Sequence, residues 1–262
     1  MKLNELYLRS FRNYEELSLS FDPGVNLIVG RNAQGKTNLL EAIAYLSTAR
    51  SHRARYDKEM MMMGVDSAFI SGDVVSQGRD FTLEANLFRG KGRQLYANGL
   101  RLKSAGELGE KFQTVLFCPE DLYLIREGGA ARRKFLDSAI CQIRPRYAQA
   151  LAEYNRLYEH KTRILRDCDD RPDLIATLPD FNFRMAETGA VLIHFRARFA
   201  KLLNEYASVA HRDCSGGKEE LSVCYQTVKT VRDPFDEHRN LVFQLLEHQR
   251  EHHYAEISSR QC

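Results

Sequence analysis

The sequence predicts an α/β fold of two lobes, a strand-rich first lobe with an antiparallel β-meander and a mainly helical second one. Three observations carry this. A short apolar run at residues 25–29 leads into the glycine-rich stretch Gly30-Arg31-Asn32-Ala33-Gln34-Gly35-Lys36-Thr37, after which apolar residues recur at helical spacing. Between residues 68 and 102, β-branched and aromatic runs are broken by turn signals. From residue 146 onward the apolar spacing becomes helical over long stretches. The change of pattern places the lobes at residues 1–125 and 126–262.

Taken in order, residues 6–8 and 17–21 read as strands, the second alternating in period two and closed by the turn Asp22-Pro23-Gly24. Residues 25–29 are β-branched and mostly apolar, the composition of a strand buried on both faces. A helix begins near Lys36, with Leu39, Leu40, Ala42, Ile43 and Leu46 as its apolar positions. Residues 68–75, 81–88 and 93–97 follow as strands, and Asn98-Gly99 is a strong hairpin signal into residues 100–102. A further apolar run at 115–118 stops at Pro119-Glu120-Asp121. Met60, Met61, Met62 and Met63 suit soft gap-filling core packing.

In the second lobe, Tyr147, Leu151, Tyr154, Leu157, Tyr158, Ile164 and Leu165 lie on one helical stripe. A second long run, 180–207, carries Phe183, Val191, Phe195, Phe199 and Leu203, with Gly189 tolerated at some cost. Arg171-Pro172-Asp173 and Leu178-Pro179-Asp180 punctuate the link, which predicts an antiparallel helical hairpin. Residues 221–231 read as a strand or extended link, and 236–258 as a third, highly charged helix.

Gly30 to Thr37 match G-x-x-x-x-G-K-[ST], a phosphate-cradling P-loop, in the strand-before, helix-after setting that the pattern requires. By chance the pattern arises in about one chain in a hundred of this length. The glycines let successive backbone N–H groups of Gly30, Arg31, Asn32, Ala33, Gln34 and Gly35 turn inward, and the helix N-terminus adds partial positive charge. Lys36 would reach the β- and γ-phosphates of a nucleoside triphosphate, and the Thr37 hydroxyl would ligate Mg²⁺.

Composition agrees with a folded protein. The chain has 262 residues, 44% hydrophobic and 28% charged, which is enough to bury a sizeable core. It contains no apolar run of membrane-span length, and the first residues, Met1-Lys2-Leu3-Asn4-Glu5-Leu6, do not read as a signal peptide. Six cysteines without a C-x-x-C pair read as reduced thiols, so a cytoplasmic location is expected. A net charge of +3 permits a nucleic-acid partner without demanding one.

The sequence lacks the Asn-Lys-x-Asp element of a GTPase, and a meander after the P-loop helix is not the alternating pattern of a small-molecule kinase. Five segments, in order from residue 8 to 137, together resemble the bacterial RecF family. They are Leu8-Arg9-Ser10-Phe11-Arg12-Asn13-Tyr14, the P-loop extended to Asn38, Ser51-His52-Arg53, Phe117-Cys118-Pro119-Glu120-Asp121-Leu122 and Arg132-Arg133-Lys134-Phe135-Leu136-Asp137. The helical remainder fits that family's second lobe by pattern only.

The resemblance implies an ABC-type ATPase lobe that uses ATP and Mg²⁺. It also implies DNA as partner, at single-strand gaps, double-stranded junctions and stalled forks, where the family promotes recombinase loading. RecR and RecO type mediators and an ATP-dependent homodimer follow from the same resemblance. The nucleotide-binding set it implies runs from Gly30 to Asn38 and adds Arg12 and Asn13, whose plainer reading is the capping of a turn between strands.

Against the family's pattern, neither a Walker B strand nor the family's signature segment is recognised in the sequence. Residues 115–121 imitate Walker B, but Pro119 breaks the run before its acids, so this stretch reads as a loop between lobes. The expectation is a fragment that binds ATP without hydrolysing it. The alternative is a P-loop structural or partition ATPase unrelated to repair. His248-Gln249-Arg250-Glu251-His252 matches a zinc-binding H-x-x-E-H pattern, although its polar surroundings favour a solvated helix. Candidate phosphate-neutralising residues are Arg50, His52, Arg53 and Arg55, then Arg132, Arg133 and Lys134, then Arg144 and Arg146. Tyr154 and Tyr158 read as hairpin packing in preference to base-stacking platforms.

Overall fold

The structure is a computed structural model that describes residues 1–126, 128–168 and 170–258, without the side chains of Glu120, Tyr123 and residues 251–258. The chain divides into two compact units. Unit one comprises residues 1–132 and 141–145, and unit two comprises 133–140 and 146 onward.

Unit one is built on a six-stranded sheet. Strands β1 (Lys2–Phe11), β2 (Tyr14–Ser20), β3 (Ser67–Ser76), β4 (Arg79–Phe88), β5 (Gln94–Ala97) and β6 (Leu100–Arg101) lie in the order β2-β1-β3-β4-β5-β6, all antiparallel. Helix α1 (Lys36–Thr48) occurs between β2 and β3, and α2 (Gly106–Gly109) is a single turn after β6. The register aligns Leu6 with Leu19 and Gly72, and Leu8 with Leu17 and Ile70. Ile70 in turn faces Ala85, and Leu83 faces Ala97. Period-two alternation sends these residues to one face, where they meet Leu39, Ala42, Tyr45 and Leu46 of α1 in a common core. Gly72 makes the approach close, since a Cβ there would stand 2.6 Å from a Leu46 methyl. At the β5–β6 turn, Asn98 and Gly99 have φ of 50° and 73°, the left-handed pair a two-residue hairpin needs.

One strand expected from the sequence does not form. Residues 25–30 have no strand hydrogen bonding, and Val25, Leu27 and Val29 are 95%, 83% and 77% exposed. A β-strand is completed by its neighbours, and β1 already pairs on both sides, with β2 and β3. None of the six strands pairs with 25–30, so an apolar, β-branched segment is left without a ladder. The methionine run divides as well. Met60 and Met61 are buried beside Phe11, whereas Met63 is 96% exposed.

Unit two is helical, with α5 (Pro145–Asp167), α6 (Leu178–Ser215) and α7 (His238–Ser258). Single turn α3 (Tyr123–Arg126), in unit one, and helix α4 (Gly129–Ile143), of which residues 133–140 belong to unit two, precede them. The expected antiparallel hairpin forms between α5 and α6, with the Tyr147 ring edge-on to Phe195 at one end and His160 stacked on Phe181 at the other. Gly189 keeps helix contacts tight, because a Cβ there would meet Leu245 of α7 at 3.3 Å and the Tyr154 ring at 3.5 Å. Asp137 of α4 is held by Arg196 of α6, Nε to Oδ1 at 2.9 Å and Nη2 to Oδ2 at 3.0 Å, and accepts from the Tyr147 hydroxyl. Residues 221–231 form no strand, and the Val231 N–H closes a turn onto the Val228 carbonyl at 3.1 Å.

Leu83 is fully buried at the centre of the sheet core. Leu83→Ala is expected to cost about 2–5 kcal/mol, read as a lower urea midpoint with unchanged slope. An unshifted midpoint would disprove the core described for unit one.

Candidate functional site

The site assembles around the start of α1. Gly35 is the residue preceding the helix, with φ +101°, and a Cβ there would lie 2.7 Å from Asn13 Oδ1 and 2.8 Å from the Tyr14 hydroxyl. Glycine at 35 is therefore required twice, by its left-handed backbone and by the β1–β2 turn packed beneath it. Arg31, Asn32, Ala33 and Gln34 are exposed, as is Thr37 on the first turn of the helix. Lys36 Nζ donates to the carbonyls of Gly30 and Arg31, both at 2.7 Å, so the ammonium lies within the curl of the loop.

This arrangement fits a polyphosphate. It combines an exposed glycine-bearing curl, an ammonium inside it and the N-terminus of a 13-residue helix. Lys36 and the backbone of Gly30 to Gly35 would hold phosphate, and Thr37 would hold a cation beside it. An open cavity of the sheet lies elsewhere. It has a volume of about 380 Å³ and is lined by Asn4, Asp73, Asp80, Thr82 and Asn98, a carboxylate-bearing surface unsuited to an anion.

Arg12 and Asn13 both come to the P-loop end of α1, by different routes. Asn13 Nδ2 donates to Gln34 O at 3.2 Å, and Asn38 Nδ2 donates to Asn13 Oδ1 at 2.7 Å. Arg12 has φ +56° and turns its guanidinium onto Glu41, Nε to Oε2 at 2.8 Å and Nη2 to Oε1 at 2.7 Å, with Nη1 on the Glu59 carbonyl. Arg53 Nη2 donates to Glu41 Oε2 at 2.6 Å and to Asn38 Oδ1 at 2.7 Å. The Ser51 hydroxyl is also bonded to Glu41.

Glu41 is the residue the sequence reading missed. Its carboxylate is fully buried on the core-facing side of α1, among Leu39, Ala42 and Tyr45. Burial works to raise its pKa, but hydrogen bonds from Arg12, Ser51 and Arg53 outweigh that and hold the carboxyl below its ordinary 4.5. A glutamate inside an apolar helical stripe was the available signal, because such a charge needs partners.

The other sequence candidates are more dispersed. Arg53 is engaged as described, Arg55 lies over the Tyr56 ring at 5.3 Å, and Arg50 is exposed. Arg132, Arg133, Lys134, Arg144 and Arg146 are exposed on and beside α4 and α5. Tyr154 packs at Gly189, while Tyr158 is exposed. At 119–122 the chain makes a 3-10 turn in which Asp121 Oδ2 accepts from the Cys118 N–H at 2.7 Å. His248 lies on α7, and the side chains of Glu251 and His252 lie outside the described residues. Among the described residues no group of three His, Cys, Asp or Glu is placed to hold a metal, and no helix is long and apolar enough to cross a membrane.

A model of the AAA domain family matches residues 5–170. Over 227 residues the chain is 40% identical to the DNA replication and repair protein RecF of Agathobacter rectalis, covering 86% of this chain and 62% of that one. It is 34% identical over 250 residues to RecF of Clostridium perfringens, covering 95% of this chain and 68% of that one. Among solved structures, the recombination mediator protein RecF with ATPrS matches at 32% identity and a TM-score of 0.87, over 94% of this chain and 66% of that one. The same protein with ATP matches with a TM-score of 0.82. The chain thus spans 62% of the length of the first of these relatives and 68% of the second.

A carboxylate with a lowered pKa stabilises the fold above its unfolded value and loses that contribution as pH falls through the lowered one. Wild-type stability is therefore expected to drop steadily below the ordinary pH of 4.5 for Glu41. In Glu41→Gln that part of the drop should be absent, and the variant should be less stable at neutral pH. Urea midpoints of both proteins across the acid range check this, and parallel profiles would refute it.

Proposed function

The chain belongs to the RecF family of DNA replication and repair proteins, and from that premise we propose that it is an ATP-binding, DNA-binding protein of recombinational repair. The observation that carries the reading is the P-loop itself, with Lys36 inside the curl, Gly35 seated on the β1–β2 turn and α1 directing its N-terminus at the same place. The neighbour at TM-score 0.82 is a RecF with ATP, which supports ATP as the nucleotide.

In this reading the backbone of Gly30 to Gly35 and the Lys36 ammonium hold the phosphates, and Thr37 holds Mg²⁺. The Mg²⁺ would supply charge neutralisation between phosphate oxygens. Asn38 and Asn13 stand beside the loop, and Arg12, with all three guanidinium nitrogens engaged, acts on it through Glu41. The chain binds ATP without turning it over. In support, the acid-ended run at 115–121 finishes in a 3-10 turn whose Asp121 is occupied by the Cys118 N–H.

DNA at single-strand gaps and stalled forks is the proposed partner, with RecR and RecO type mediators and recombinase loading as the proposed context. The exposed arginines and lysine at 132–134 and 144–146 are the proposed phosphate contacts. An ATP-dependent homodimer of the whole protein and a cytoplasmic location complete the proposal.

Lys36→Ala is expected to weaken ATP binding at least about tenfold, or 1.4 kcal/mol, by titration calorimetry, with the far-ultraviolet circular dichroism unchanged. Equal affinities for the two proteins would refute the site. For DNA, the logarithm of affinity should fall linearly with log salt, by about 0.7 per neutralised phosphate on single strands. Arg133→Gln combined with Lys134→Gln should flatten that slope, and a salt-independent affinity in the parent protein would rule out the DNA reading.

A further inference from the structure

Three side chains connect the buried Glu41 to the backbone of the P-loop. Glu41 Oε2 accepts from Arg53 Nη2 at 2.6 Å, and the same nitrogen donates to Asn38 Oδ1 at 2.7 Å. Asn38 Nδ2 then donates to Asn13 Oδ1 at 2.7 Å, and Asn13 Nδ2 to the Gln34 carbonyl at 3.2 Å. The direction of this relay is fixed at both ends. A guanidinium can only donate and a backbone carbonyl can only accept, so both amides have one allowed orientation. The far end lies beneath the loop, because Asn13 and Tyr14 are the groups that a Cβ on Gly35 would strike.

We propose that Glu41 is a positioning residue for the nucleotide, acting through Arg53, Asn38 and Asn13 to hold the P-loop in its binding shape. The inference rests on the ATP-binding reading and deepens it. Gln34, the residue the relay grips, stands in the exposed stretch 31–34 of the loop. Glu41 is the part that cannot move, since it is fully buried and bonded by Arg12, Arg53 and Ser51. Its carboxylate aims Arg53, Arg53 orients Asn38, and the two asparagines transmit that orientation to Gln34. Arg12 is bonded to the same carboxylate and, one residue before Asn13, fixes the turn that carries the relay's last member.

A double-mutant cycle tests the relay. Glu41 and Asn13 are not hydrogen-bonded to each other, so independent effects would combine by adding free energies, which multiplies the affinity losses. Glu41→Gln and Asn13→Leu are each expected to weaken ATP binding about tenfold, and the double variant also about tenfold. Hydrogen exchange in the peptide covering 30–36, measured without nucleotide, should quicken to the same extent in all three. Losses that multiply to about a hundredfold, or unchanged exchange in either single variant, overturn the proposal. If the wild type binds no ATP, the ATP reading falls, and the exchange measurement still decides the relay. Should Glu41→Gln not fold, Arg53→Gln takes its place in the cycle with the same expected outcomes.

Discussion

A carboxylate buried in an apolar face must be paired, and Glu41 is where unit one meets that demand. Its partners come from separate stretches of chain. Arg12 follows the first strand, and Ser51 and Arg53 follow the helix, so satisfying one charge brings together the β1–β2 turn, α1 and residues 51–53. Arg12 also binds the Glu59 carbonyl, and its own N–H donates to Met60 O, which extends the tie to the segment before β3. The left-handed backbone of Ser10 and Arg12 lies at this junction, where the surrounding bonds can sustain it. Desolvation offsets much of what such a buried pair contributes to stability, and its partners are tied to one arrangement. Here the arrangement in question is the floor of a P-loop.

The sheet and α1 provide the platform. Leu6, Leu8, Ile70, Leu83 and Ala85 present one continuous apolar face, and α1 covers it through Leu39, Ala42 and Leu46. Gly72 removes the one Cβ that would hold the helix off. The P-loop therefore begins a helix that cannot shift without opening the core. That rigidity is what an anion site made of backbone N–H groups requires, because such groups have no side-chain freedom with which to correct a misplaced loop.

The helical unit follows the same logic with different parts. Asp137 has Arg196 and Tyr147 as partners, and Gly189 sits where Tyr154 and Leu245 come close. Position 189 therefore has a packing reason that helix propensity alone, which disfavours glycine, does not supply.

Much of this was legible in sequence because the signals are local. The strand runs at 68–75 and 81–88, Asn98-Gly99 at a tight turn, the stripe of Tyr147, Leu151 and Leu157 and the P-loop pattern each depend on residues near one another in the chain. The segment at 25–29 was misread for the opposite reason. Its composition is that of a buried strand, but a strand exists only when a neighbour completes its ladder, and Val25, Leu27 and Val29 find none among the described residues. The role of Glu41 was hidden for a related reason. Arg12 and Arg53 lie 29 and 12 residues away along the chain, and no spacing rule links them. The sequence by itself determined the chemistry of the loop, since glycines, lysine and threonine at fixed offsets suffice to cradle phosphate. Only the tertiary structure decided what holds that loop in place, because a buried charge selects its partners by proximity in space.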